Sequence, residues 1–482
     1  MLNFASDFCG PARRLVWLSL LLGLAPAAHA TLPTPLPPEV EAALARAQLP
    51  REAVSMLVVD VEGNAAPRLA HRAQVPMNPA SVMKLVTTFA GLDVLGPGYV
   101  WNTPVYVDGA VQRHTLRGNV YLRGQGDPSL VMERLWLLLR RLQGQGIQTI
   151  AGDIVLDRSA WEVPAHDPAQ FDGEPQRPYN AAPDALLVNF KSVLLGFVPD
   201  AAAGVAHVQY DPPLAGVHMP AAVPLASAST PCGDWRAGLR AELGDGTRFA
   251  FAGAYPPACG ERSWAVAYAD PGRYGARAVE GMWRALGGKL TGTVRDGRVP
   301  AGLQPVFSAS SPALAEVVRS INKYSNNVMA EQLFMTFSLQ KNGVGTLDGS
   351  RQVLQQWWRG RFGEAGAPTI DNGAGLSRDT RISAQALAHM LQAAWAAPVM
   401  PELLASLPIA GVDGTLRRRS SDAVWGRAHL KTGSLRDVLA LAGYVHAASG
   451  RRYVLVALVN HSQAAAARPV LDALLDWTAR DR

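Results

Sequence analysis

The sequence predicts an α/β (α+β) protein: an antiparallel sheet flanked by helices, built from both chain ends and interrupted by a large, mostly-β insertion of two nested parts. Three observations carry this expectation. The chain has 482 residues, too many for one compact core. Its two ends share one texture, apolar strands beside amphipathic helices. Between them the texture changes to short strands and turns rich in Pro, Ala and Gly. A content of 48% hydrophobic and 17% charged residues excludes a disordered or fibrous chain.

Residues 1–30 read as an export signal. Arg13 and Arg14 precede the apolar run "LVWLSLLLGLAPAA", and Ala28–Ala30 ("AHA") supply small residues for a peptidase, so cleavage is expected after about Ala30. The run is short for a bilayer and the Pro-rich "TLPTPLPPEV" follows, so no stable membrane anchor is expected after cleavage. Cys9 goes with the signal. Cys232 and Cys259 remain, and in an exported chain a disulfide is the natural inference. No His or Cys cluster has metal-ligand spacing, so no metal is expected. The net charge of +6 suits an anionic polymer such as cell wall. No basic block interleaved with aromatics points to nucleic acid, and "RRRSS" (Arg417–Ser421) reads as a solvated turn.

The elements follow in order. "EVEAALARAQ" is a short amphipathic helix; "AVSMLVVDVEG" and "PRLAHRAQ" form a hairpin turning at Gly63-Asn64. A helix then starts within "MNPASVMKLVTTFAGLDVLG" and runs to about Leu95. Residues 96–160 are short strands and turns around the helix "VMERLWLLLRRLQGQG". Residues 161–265 form the Pro-, Ala- and Gly-rich part that holds both remaining cysteines. Residues 266–305 return to a helix and strand in "ARAVEGMWRALGGKLTGTVRDG", as the second half of the 96–160 module. Residues 306–482 complete the domain begun by residues 31–95. They are helical from "SPALAEVVRSINKYSNN", then carry the strands "GRAHLKTGSL", "LALAGYVHA" and "RRYVLVALVNH", the latter two joined at Ser449-Gly450. The last helix has an apolar stripe of Val470, Leu471, Leu474, Leu475 and Trp477, suited to packing on a sheet.

Ser81 and Lys84 lie one helical turn apart, so hydroxyl and amine share a face. A dry amine gives up its proton readily and can activate that hydroxyl. Alone, the pair is more often a helix N-terminus, with Asn78 or Ser81 as cap and Pro79 in the first turn. Two further motifs outweigh that reading. Ser325-Asn326-Asn327 precedes a helix, and Lys431-Thr432-Gly433-Ser434 lies on a strand. Ser-x-x-Lys, Ser-x-Asn and Lys-Thr-Gly thus follow in order, each on the element type the chemistry needs.

The chain here resembles the penicillin-binding proteins and serine β-lactamases. Its words "NPASVMKLVTT", "LRGQGDPSL", "YNAAPDALLVNF", "YSNNVMAEQLF", "DNGAGLSR", "PIAGVDGTLRRR" and "KTGSLRDVLALAGYV" are similar to the D-alanyl-D-alanine carboxypeptidase/endopeptidase family of penicillin-binding protein 4 type. The resemblance implies a β-lactamase/transpeptidase-like domain interrupted by nested insertions, and a periplasmic, cofactor-free serine peptidase. It would act on peptidoglycan stem peptides and be acylated by β-lactams, with room for a homodimer. By the same resemblance Ser81 is the nucleophile and Lys84 its base, kept neutral by burial beside Lys431. Ser325 relays a proton, and Asn327 orients Lys84. Lys431 and Thr432 bind the terminal carboxylate, and Gly433 lets substrate lie against the strand. The N–H groups of Ser81 and Ser434 make the oxyanion hole. Asp371, Ser377 and Asp413 orient nearby loops, and Asp157 is expected to reach over the cleft to an amine of the peptide. His429 is expected to be a packing residue. A β-lactamase or esterase on the same fold stays open, though no separate Glu-containing deacylation motif is evident. A non-catalytic cell-wall-binding protein stays open as well, although it would have no use for Lys84.

Overall fold

The computed structural model describes residues 35–419 and 421–481. The expected signal, with Cys9 and the cleavage point at Ala30, lies outside the described residues. Among the described residues no helix is long and apolar enough to cross a membrane.

The first part of the chain supplies helix α1 (Pro38–Arg46), strand β1 (Val54–Asp60), strand β2 (Leu69–His71) and helix α2 (Lys84–Val94). The last part supplies helices α3 (Leu314–Tyr324) and α4 (Asn327–Asn342) and strands β3 (Ala428–Leu435), β4 (Val438–His446) and β5 (Arg452–Asn460). Helix α5 (Arg468–Ala479) closes it. The strands make one antiparallel sheet in the order β2-β1-β5-β4-β3. The chain ends therefore meet inside the sheet, β1 pairing with β5 from Val54 opposite Val459 to Asp60 opposite Tyr453. The hairpin's second strand is shorter than "PRLAHRAQ" suggests, because the backbone leaves the sheet at Arg72, where φ is +49°.

These strands read as continuous apolar runs because both faces are covered. On β5, Tyr453, Leu455, Ala457 and Val459 pack toward α1 and α5, whereas Val454, Val456 and Leu458 pack toward the helical half of the domain. Val470, Leu471, Leu474 and Leu475 of α5 are buried on the sheet as expected, whereas Trp477 is half-buried, with Arg68 3.7 Å over its ring. On the other face the layer contains Phe89, Leu333 and Leu387. Burial of each such side chain contributes about 1.5–3 kcal/mol.

The insertion has its own sheets. A five-stranded mixed sheet runs Val294–Asp296, Ile154–Asp157, Val120–Arg123, Asn102–Val107, Phe307–Ser310. Of its two parallel pairs, 120–123 with 154–157 is joined across helix Met132–Gly144, as a parallel connection requires. Its last strand lies beyond residue 305, where the insertion was expected to end. A four-stranded antiparallel sheet runs Ala222–Pro224, Val205–Asp211, Ser192–Asp200, Arg262–Ala267. Cys232 and Cys259 form the expected disulfide. One apolar cluster, including Leu122, Ile154, Phe197, Val266 and Trp283, runs through both sheets.

Candidate active site

Ser81 lies in a 3-10 turn, Ala80–Met83, that leads directly into α2, rather than within the helix itself. The turn is held from both chain ends. Asn78 Oδ1 accepts the Ala80 N–H (2.8 Å), Asn78 Nδ2 donates to Ser377 O (2.8 Å), and Asn460 Oδ1 on β5 accepts the Asn78 N–H (2.8 Å). Ala80 is kept at φ +47°, a conformation costing about 1–3 kcal/mol that persists only when its surroundings enforce it. Lys84 still reaches Ser81, its Nζ lying 2.9 Å from Ser81 Oγ.

Lys84 is fully buried, and its Nζ also lies 2.6 Å from Asn327 Oδ1 and 2.6 Å from the Ala374 carbonyl. Burial lowers its pKa to about 7. A neutral amine has two protons and one lone pair. Donating to the two carbonyl-type oxygens leaves the lone pair for the Ser81 hydroxyl, which is the geometry of a general base. Lys431 is buried as well, and burial followed by the Lys84 charge holds its ammonium well below the usual range. Burial is thus the first cause at both amines; the cation–cation repulsion expected to neutralise Lys84 acts at Lys431 instead, and Glu331 draws Lys84 the other way. Lys431 Nζ donates to Ser325 Oγ (2.7 Å) and Thr432 O (2.7 Å).

Ser325 ends α3 with φ +56°, and Asn326 caps α4 by accepting the Met329 N–H (3.0 Å). The left-handed residue turns the chain between two helices and brings Ser325 Oγ to Lys431 while Asn327 meets Lys84. Gly433 is needed for a reason other than substrate clearance. A Cβ there would fall 2.5 Å from the Pro79 carbonyl, so glycine lets β3 close on the turn bearing Ser81. Ser434 is exposed beside it, and Thr432 Oγ1 lies 2.9 Å from Thr415 Oγ1.

Asp157 does not reach the cleft. It is buried at the end of its strand, where its oxygens accept the N–H groups of Ser159 (2.9 Å) and Val299 (2.9 Å) and close the local turns. The insertion contacts the cleft through a different segment. Phe171, Asp172, Glu174 and Tyr179 join Ser81, Ser325, Asn327 and Ser434 around a cavity of about 500 Å³. Tyr179 donates to Asp172 (2.9 Å), and the Arg378 guanidinium lies 4.7 Å from the Phe171 ring centre. Composition alone could not single these out, since a Pro- and Gly-rich stretch carries no periodicity. Asp371, Ser377 and Asp413 serve loops as expected. Asp371 accepts from Arg351 (2.6 Å), Ser377 Oγ accepts the Asp379 N–H (3.0 Å), and Asp413 pairs with Lys323 (2.6 Å). His429 packs beside His446. Glu331, inside "YSNNVMAEQLF", drew no attention in the sequence. Its spacing of four from Asn327 was the available signal.

A buried amine on one hydroxyl, beside a second hydroxyl–amine pair whose amine stands on the edge strand of an antiparallel sheet, defines a serine acyl-transfer site of the Ser-x-x-Lys class. Within that class the chain belongs to the D-Ala-D-Ala carboxypeptidase 3 (S13) family, which matches residues 36–481. It is 28% identical over 403 residues to a D-alanyl-D-alanine carboxypeptidase of Actinomadura sp. (strain R39), covering 80% of this chain and 73% of that protein. It is 26% identical over 398 residues to D-alanyl-D-alanine carboxypeptidase DacB of Haemophilus influenzae, covering 80% of each. The fold is similar to that of penicillin binding protein 4 from Haemophilus influenzae, with TM-score 0.72 and 22% identity over 91% of this chain and 98% of that one.

Proposed function

We propose that the protein is a serine-type D-Ala-D-Ala carboxypeptidase acting on peptidoglycan stem peptides in the periplasm through an acyl-enzyme on Ser81. The observation that carries this reading is the Lys84 amine, buried, 2.9 Å from Ser81 Oγ and held by two carbonyl-type acceptors. As Ser81 Oγ bonds to the carbonyl carbon between the two D-alanines, Lys84 takes its proton. Ser325, bonded to Lys431, passes a proton to the leaving amine as the C–N bond breaks. The N–H groups of Ser81 and Ser434 hold the oxyanion; such a donor is worth about 2.7–4 kcal/mol of barrier. Water then cleaves the ester.

Thr432 and Lys431 donate to the terminal carboxylate, and the cleft-lining Arg436 supplies the cation beside them. Asp172 and Glu174 take the place expected of Asp157, facing an amine on the peptide. β-Lactams, which imitate the D-alanyl-D-alanine terminus, acylate the same serine. Cleavage of diacetyl-Lys-D-Ala-D-Ala and labelling by a fluorescent penicillin test the reading. Ser81→Ala and Lys84→Arg should each abolish both while the melting curve stays cooperative. Undiminished cleavage by Ser81→Ala overturns it, and penicillin hydrolysis far faster than peptide cleavage favours a β-lactamase.

A further inference from the structure

Glu331 has no part in the steps above, yet it sits against their centre. It follows Asn327 by four residues on α4, so the two share a helix face. Asn327 is the residue whose Oδ1 holds Lys84 Nζ at 2.6 Å. Glu331 also lines a second cavity of about 420 Å³, with Arg351, Asp371 and Asn372. Phe171, Tyr179, Leu376 and Arg378 line both this chamber and the one holding Ser81, so they form the partition between a front and a rear chamber. The second acceptor of Lys84, the Ala374 carbonyl, lies in the loop whose neighbouring residues Asn372 and Leu376 wall the rear chamber.

We propose that Glu331 is a positioning residue for the reaction, governing from the rear chamber whether Lys84 carries a proton. The assignment rests on the reading of Lys84 as the base. Lys84 is held between two opposing influences: burial disfavours a proton on it, and the Glu331 carboxylate on α4 favours one. Glu331 in turn faces Lys84 from α2 and Asp371 from the 371–379 loop. Asp371 is engaged at 2.6 Å by Arg351, from helix Leu347–Phe362. Burial pushes the Glu331 carboxyl up to about 8, against the pull of Lys84 and with the push of Asp371. Near neutral pH the pair shares one proton, as amine and carboxylic acid or as ammonium and carboxylate, and the carboxylate form is the one that keeps the proton on Lys84. When Lys84 takes the Ser81 proton, Glu331 releases its own to water in the rear chamber. One proton is gained and one lost, so the pair begins and ends with no net charge. At the buried Lys84 that avoids stabilising an isolated ammonium.

The test is the pH dependence of acylation by a fluorescent penicillin in the mature wild-type chain, Glu331→Gln and Glu331→Asp, with melting curves for each. Glu331→Gln should shift the acid limb about one pH unit lower, the lesser effect expected of an opposite charge. Glu331→Asp, which keeps the charge, should retain the wild-type limb. Coincident limbs for wild type and Glu331→Gln overturn the assignment. Should Glu331→Gln not fold, Arg351→Gln applies the same test. It strengthens the repulsion from Asp371 and should move the limb lower too, and an unmoved limb is likewise fatal to the proposal. A wild-type chain that is not acylated at Ser81 would defeat the functional reading itself, so the two failures are distinguishable.

Discussion

A lysine removed from water keeps its proton only at a steep desolvation cost, and Lys84 meets that cost by becoming a base. Its pKa of about 7 and its place 2.9 Å from Ser81 Oγ lead to one expected outcome. Penicillin acylation should rise with pH to a plateau through a midpoint near 7, because the neutral amine is the active form. Below the midpoint it should fall about tenfold per pH unit, as one protonation requires. A profile flat from acid to neutral pH would assign the limb to no buried amine. The Ser81–Lys84 pair was legible because a three-residue spacing is a local property of a helix start. The pull of Glu331 was not legible, since its distance to Lys84 depends on how α4 packs against α2.

At the scale of elements, the site depends on the nucleophile turn and β3 pressing together. Gly433 is the contact point, with the Pro79 carbonyl 2.5 Å from where a Cβ would stand. Gly433→Ala should leave a folded protein whose acylation rate is reduced by about 10²-fold, the effect of displacing reacting groups by roughly an ångström. Measuring acylation alongside circular dichroism checks this, and a rate within twofold of wild type would show that the strand can yield. The Lys-Thr-Gly strand and the helix following Ser-x-Asn were readable from their apolar patterns. The 3-10 turn under Ser81 and the left-handed Ser325 were not. Both conformations are imposed by partners such as Asn78, Asn460 and the start of α4, which no local window contains.

Across the whole molecule, the catalytic sheet is closed by its own chain ends while the insertion carries a separate apolar core. The Cys232–Cys259 bond lies in that insertion and spans 27 positions. Closing such a loop stabilises the fold by about 3 kcal/mol in the chain-entropy account. The double substitution Cys232→Ser with Cys259→Ser should therefore lower the unfolding free energy by about that amount, read by urea titration, while penicillin labelling of Ser81 persists in the folded protein. Loss of labelling without loss of stability would tie the bond to the cleft instead. That both chain ends build one sheet was visible because their shared apolar periodicity is written along the chain.

Alone, the sequence determined which chemical groups the protein owns, their order, the strand under Lys-Thr-Gly and the helix after Ser-x-Asn, and the two thiols that pair. Spacing and periodicity are short-range, and short-range order survives in a string of letters. The tertiary structure alone decided that Lys84 and Asn327, 243 positions apart, stand 2.6 Å from each other. It also withdrew Asp157 from the cleft in favour of Asp172 and Glu174, and set Glu331 behind the base. Desolvation and charge coupling depend on distance through space and on what excludes water, and neither is a function of position along the chain.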